Sequence, residues 1–161
     1  MKELDYIFYS FNVMCNYILK ELERKTNVKT DDLKIYLDLE PEKHNSYAFY
    51  DKTRNCIKIN LNDYRRSILD EEEFNKELEG RRFDFLLAHE LGHYIHEVYL
   101  GLKEFNFSDK GKIFNSYKSK EENFADCFAD WLINNKDTPE RNKEMENILL
   151  KEGLLNYQKG E

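Results

Sequence analysis

The sequence predicts a single α+β domain: a small twisted sheet of three strands, or slightly more, set among amphipathic helices. Two patterns carry that expectation. Between residues 31 and 62 apolar and polar residues alternate in short runs, the period of half-buried strands. On either side the apolar residues recur every three or four positions, the period of helices with one buried face. The length of 161 residues, with 40% hydrophobic and 14% aromatic, fits one domain with a real core.

The elements follow in order. Leu4, Ile7, Phe8, Phe11, Met14, Cys15, Ile18 and Leu22 place a helix at about 2–24, its aromatic stripe facing the core. Leu33, Ile35, Leu37 and Leu39 alternate with Lys34, Tyr36 and Asp38, a strand ended by Pro41. A second strand covers about 46–50, and Asp51 to Asn55 is a polar turn. Ile57, Ile59 and Leu61 mark a third strand, which pairs with the second as a hairpin. His44 falls in the loop between the first two strands, as an exposed side chain. Residues 62–80 are highly charged around Asp70-Glu71-Glu72-Glu73 and read as one or two surface helices. Gly80 breaks the pattern before an apolar helix at 81–99. Residues 101–119 form a long loop of the kind that often serves as a lid or binding loop. A helix at 119–134 follows. Thr138-Pro139 starts a last helix, threonine as cap and proline at the first position, which ends near Gly153.

Composition excludes several classes. The 25 basic residues against 32 acidic ones give a formal charge of −7, unsuited to holding nucleic acid by its bulk field. No pair of short helices with a tight turn suggests a DNA reader. The mean hydropathy is −0.83 and no apolar run is long enough for a membrane span. The charged, periodic N-terminus is unlike a secretory signal. Cys15, Cys56 and Cys127 are odd in number and lack C-x-x-C spacing, so they read as reduced core thiols of a cytoplasmic protein.

Chemistry concentrates in the 81–99 helix, which contains His89-Glu90-Leu91-Gly92-His93. Residues four apart lie on one helical face, about one 5.4 Å turn along the axis. His89 and His93 can therefore offer two imidazole nitrogens to one metal ion. Glu90 is rotated by roughly 100° and reaches a bound water rather than the ion. The helix around them is apolar, and ionisable groups rarely sit there unless paired or bound to a metal. Gly92 costs helix propensity, and so small a residue suits close approach of another backbone.

A zinc site with two histidines on one helix needs a third ligand from elsewhere. On the 119–134 helix Glu122 can supply it, and Asp126, one turn on, can accept the free N–H of a ligating histidine. Glu121 is the rival ligand, but it points away from Asp126. His96 shares the histidine face. It lies about 10.5 Å from His89 along the axis, too far to join the same ion, and reads as a supporting or surface group. A longer three-histidine pattern fails because its position is Tyr99.

The strand, the hairpin, His89-Glu90-Leu91-Gly92-His93 and then Glu122-x-x-Ala125-Asp126-x-Phe128-Ala129 together resemble the ImmA/IrrE family of metallopeptidases, from about Leu33 to Ile133. The resemblance implies a gluzincin-like fold, a small twisted sheet packed on a metal helix and a glutamate helix. It implies zinc on His89, His93 and Glu122, with Glu90 as general base, and it makes residues 62–80 an insertion. Family members of mobile elements cleave helix-turn-helix repressors, and others act in stress response or with antitoxin-like regulators. The expected partner is thus a protein substrate of that kind, with no direct nucleic acid and no membrane. The substrate would lie extended along an exposed edge strand. Tyr117, Tyr94 and His96 are the candidate oxyanion donors. The alternatives are a non-catalytic anti-repressor or toxin-partner binder with a structural zinc, against which the intact Glu90 argues, and a DNA-acting regulator, against which the charge argues.

Overall fold

The computed structural model describes residues 2–40, 46–78, 80–108 and 119–156; His44 and Tyr117 lie outside the described residues. Within them the fold is α+β, with six helices and a three-stranded mixed sheet. In chain order these are α1 (Glu3–Lys25), β1 (Lys34–Asp38), β2 (Ala48–Asp51), β3 (Cys56–Asn60), α2 (Leu61–Leu69), α3 (Glu71–Glu77), α4 (Phe83–Val98), α5 (Lys120–Leu132) and α6 (Pro139–Lys151).

The sheet order is β1-β3-β2. The expected hairpin is present: β2 and β3 pair antiparallel, with Tyr50 opposite Ile57. Asp51 Oδ1 accepts the backbone N–H groups of Thr53 and Arg54, which closes the turn. β1 pairs with the other side of β3 in parallel, Leu37 opposite Ile59. The third strand stops one residue earlier than the alternation suggests. The Asn60 side chain accepts the Asp63 N–H at 3.1 Å, so Leu61 opens α2 instead of closing β3.

The charged 62–80 segment is two helices, and they are more than a solvated surface. Glu71, Glu72 and Glu73 are exposed, but Tyr64, Phe74 and Leu78 point inward. Phe74 stacks on Phe83 at 5.2 Å between ring centroids, and Tyr64 meets Phe83 edge-on at 5.2 Å. These rings wedge the first turn of α4 in place.

Helix α4 is the centre of the molecule. It packs against the sheet on one side and α5 on the other, with α1 also against it and α6 beyond α5. Phe85, Leu87, Ala88, Leu91 and Ile95 are essentially excluded from solvent. Gly92 is what lets α5 come so close. A Cβ at that position would lie 2.9 Å from Ala125 Cα and 3.2 Å from Ala125 O. The two helices therefore cross at a Gly–Ala contact, and the residues on either side of Ala125 are brought over α4. At the other end, α6 starts at Pro139 as expected. Thr138 makes no capping bond; its hydroxyl lies instead as a donor beside the Asn135 carbonyl and Asn142 Oδ1. Gly153, at φ +74°, takes the chain out of α6, and Asn27 receives the tail through the Leu154 carbonyl at 2.9 Å. Among the described residues no helix is long and apolar enough to cross a membrane. All three cysteines are free and buried.

Candidate metal centre

The α4–α5 crossing assembles the expected residues. His89, Glu90 and His93 present ligand atoms within 4.8 Å of one another, close enough to hold a metal ion. His89 Nε2 and His93 Nε2 are 3.1 Å apart, their rings turned toward each other from neighbouring turns of α4. Glu122 reaches across from α5. Its Oε2 lies 3.1 Å from His89 Nε2 and its Oε1 3.0 Å from His93 Nε2. Glu90 stands farther off, with Oε2 3.7 Å from His89 Nε2. The two carboxylates are thus differently placed. Glu122 closes a triangle with both imidazoles, whereas Glu90 sits beside it.

Three further contacts orient the group. Asp126 Oδ1 accepts the His89 Nδ1–H at 2.6 Å, which turns Nε2 toward His93 and Glu122. Ser119 caps α5, its Oγ accepting the Glu122 N–H at 3.0 Å. In a capping box the glutamate side chain would fold back on the cap's own N–H; here it turns to the histidines instead. Glu90, on the sheet side of α4, faces the backbone N–H of Tyr50, which favours its ionised form. That N–H is free because β2 is an edge strand. The Asn60 N–H donates to the Tyr47 carbonyl at 2.8 Å, so the alternate residues Ala48 and Tyr50 turn their backbone groups away from β3.

The electrostatics leave a surplus of negative charge around two imidazoles. Burial disfavours a charged His89, but its bonds to Asp126 and Glu122 more than offset this and raise its pKa above 6.5, to about 10. Burial also acts against an ionised Glu122, yet the two histidines beside it hold its carboxyl well below the usual range. Burial pushes the Glu90 carboxyl up, against the pull of His89 and His93. Burial likewise raises Asp126, against its bond to His89. Three carboxylates thus surround two imidazoles, Asp126 at His89 Nδ1 and Glu122 and Glu90 on the Nε2 side. A cation between the nitrogens and Glu122 relieves that imbalance.

Other expected members are placed elsewhere. The Tyr94 hydroxyl donates to the Lys29 carbonyl at 2.8 Å, where Tyr99 also donates. His96 is neither at the surface nor in the cluster. It is buried, stacked on Phe124 with centroids 4.4 Å apart, and bonded through Nε2 to the Lys103 carbonyl at 2.6 Å. Glu121 is exposed and makes no approach to the histidines. Ser119 and the Tyr50 amide are the contributors that sequence reading overlooked. The Ser119-x-x-Glu122 spacing was a visible cue for the first, whereas the second depends on sheet register. Compared with known proteins, the chain matches no family model, no curated protein and no solved structure.

Proposed function

We propose that this protein is a zinc-dependent endopeptidase with a gluzincin-like arrangement, in which His89, His93 and Glu122 hold the ion and Glu90 is the general base. One observation carries the reading. The distances between the two Nε2 atoms and the Glu122 oxygens are 3.0–3.1 Å. A tetrahedral ion with bonds of about 2.0–2.1 Å would space its ligands by roughly 3.3 Å. Two imidazoles and one carboxylate are the donor set of catalytic zinc, which leaves a position open.

The ion, when bound, supplies Lewis acidity, making a water more acidic and a carbonyl more electrophilic. The remaining work falls to the chain. Asp126 fixes the His89 ring. Glu90, its carboxyl raised by burial, accepts a proton from the attacking water and returns it to the leaving amine nitrogen. The outward backbone groups of Ala48 and the Tyr50 carbonyl offer an extended peptide a strand to pair with beside Glu90. The resemblance to ImmA/IrrE peptidases supplies the substrate class, a helix-turn-helix repressor or antitoxin-like regulator.

Incubation of such a regulator with the wild-type protein and with Glu90→Gln tests the proposal. The variant keeps the side-chain shape and removes the base, so it should still fold and retain zinc. Cleavage should fall by at least about 10²-fold. Unchanged cleavage, or full derepression with the regulator left intact, would rule out the peptidase reading.

A further inference from the structure

Glu97, in the last turn of α4, has no part in the metal centre. It follows Glu90 by seven residues, so it points within about 20° of the same direction around the helix and lies about 10.5 Å farther along the axis. Its side chain is half-buried, and among the described residues it makes no ion pair.

Strand β2 runs alongside this face of α4 in the same direction. Tyr47, just before the strand, meets Phe74 edge-on at 5.8 Å, and Phe74 stacks on Phe83 in the first turn of α4. Tyr50, three residues on, has its N–H beside Glu90 and its ring 5.9 Å from that of Tyr94. Strand and helix thus advance together, and Glu97 falls beyond Glu90 on the side of the β2–β3 turn. Its carboxylate lies close enough to the Tyr50 phenol to raise it, after burial and together with Asp51. Asp51 is occupied in closing the turn, which leaves Glu97. Lys52 and Arg54 are exposed in that turn and neither pairs with it. At the other end of the strand the charges are closed on each other: the Tyr47 hydroxyl donates to Glu77, which Arg66 bridges at 2.9 Å.

A peptide extended along the outer edge of β2 passes Glu90 at its scissile bond. At about 3.3 Å per residue it covers 10.5 Å in roughly three residues. The third residue on the turn side therefore comes abreast of Glu97. A half-buried carboxylate without a counter-ion favours a cation there and opposes an anion. We propose that Glu97 sets the specificity of this protein by pairing with a lysine or arginine three residues from the scissile bond, on the side facing the β2–β3 turn. The assignment rests on the peptidase reading and names a feature of its substrate.

Cleavage of a random dodecapeptide pool, with the cut sites read by mass spectrometry, tests it. For the wild-type protein Lys and Arg should exceed Asp and Glu about tenfold at the third residue on one side of the cut, and Glu97→Lys should reverse that order at the same position. Lysine suits the last turn of a helix, so the variant should fold. Glu146→Lys changes the net charge equally from an exposed position on α6 and should leave the profile as it is. A second arm needs no cleavage. Zinc-loaded Glu90→Gln should bind a pool charged only by Lys and Arg about tenfold more tightly than one charged only by Asp and Glu. Adding Glu97→Lys should remove that difference, and adding Glu146→Lys should not. A wild-type profile without the basic preference, or one that Glu97→Lys leaves intact or Glu146→Lys shifts as much, would overturn the proposal. Cleavage by no protein would instead remove the peptidase reading, and the binding arm alone would then decide whether Glu97 selects basic peptides.

Discussion

Asp126 and Asp130 lie one turn apart on α5, both with no exposed surface, yet they are satisfied in opposite ways. Asp130 has permanent partners. Arg141 Nη2 donates to its Oδ2 at 3.0 Å and Asn135 Nδ2 to its Oδ1 at 2.9 Å. The pair joins α5 to α6 and balances one charge with another, although Arg141 Nε and Nη1 are buried without an acceptor. Asp126 instead holds His89, whose far nitrogen faces another imidazole and a carboxylate, and Asp126 Oδ2 has no hydrogen-bond partner. One helix thus buries one acid to hold the fold and another to orient a ring. The first pairs one cation with one anion; the second is a chain of polar contacts that ends on residues close enough to hold a metal ion.

If that contrast is right, the two aspartates respond oppositely to substitution. Arg141→Ala strands a buried carboxylate and should cost about 3–5 kcal/mol of stability in chemical denaturation, while zinc bound per folded molecule stays unchanged. Gly92→Ala should come next. The added methyl meets the α5 backbone at 2.9 Å, so about 1–3 kcal/mol should be lost, and zinc affinity should fall with it because α5 carries Glu122. Asp126→Asn should change stability little but weaken zinc about 10–100-fold, the usual effect of losing a ligand's hydrogen-bond partner. If Asp126→Asn unfolds the protein and binds zinc normally once refolded, the contrast between the two acids fails.

The same centre should also respond to pH. His89 has its folded pKa raised from 6.5 to about 10 by the carboxylates. In the metal-free protein its charged form therefore contributes stability that is complete below about 6.5 and lost as pH rises toward 10. Zinc requires the neutral ring, so binding near pH 7 should release a proton, and affinity should climb with pH through that window. Calorimetric titration in buffers of different ionisation enthalpy measures the release. Heat independent of buffer would contradict it.

Much of the centre was legible because helical periodicity is local. The four-residue spacing of His89 and His93, and of Glu122 and Asp126, determines their faces wherever the helices lie. Gly92 announced a close crossing but not its partner, Ala125. Less could be read where distant segments decide. The parallel pairing of β1 with β3 is set by tertiary packing, and so is the Tyr50 amide that meets Glu90. Tyr64 and Phe74 anchor α2 and α3, but two inward rings are faint against a run of glutamates. His96 shares the histidine face by spacing alone; Phe124 and the Lys103 carbonyl claim it because α4 is nearly over by that turn.

The most direct measurement compares zinc binding by the wild-type protein, Glu90→Gln and Glu122→Gln. His89, Glu90 and His93 are close enough to hold an ion among themselves, so which glutamate completes the site decides whether Glu90 is free to act as a base. The predicted result is tight zinc binding by the wild-type and Glu90→Gln proteins, one ion per chain, and binding greatly weakened in Glu122→Gln. If Glu90→Gln loses the ion while Glu122→Gln keeps it, Glu90 is a ligand and the general-base assignment is contradicted.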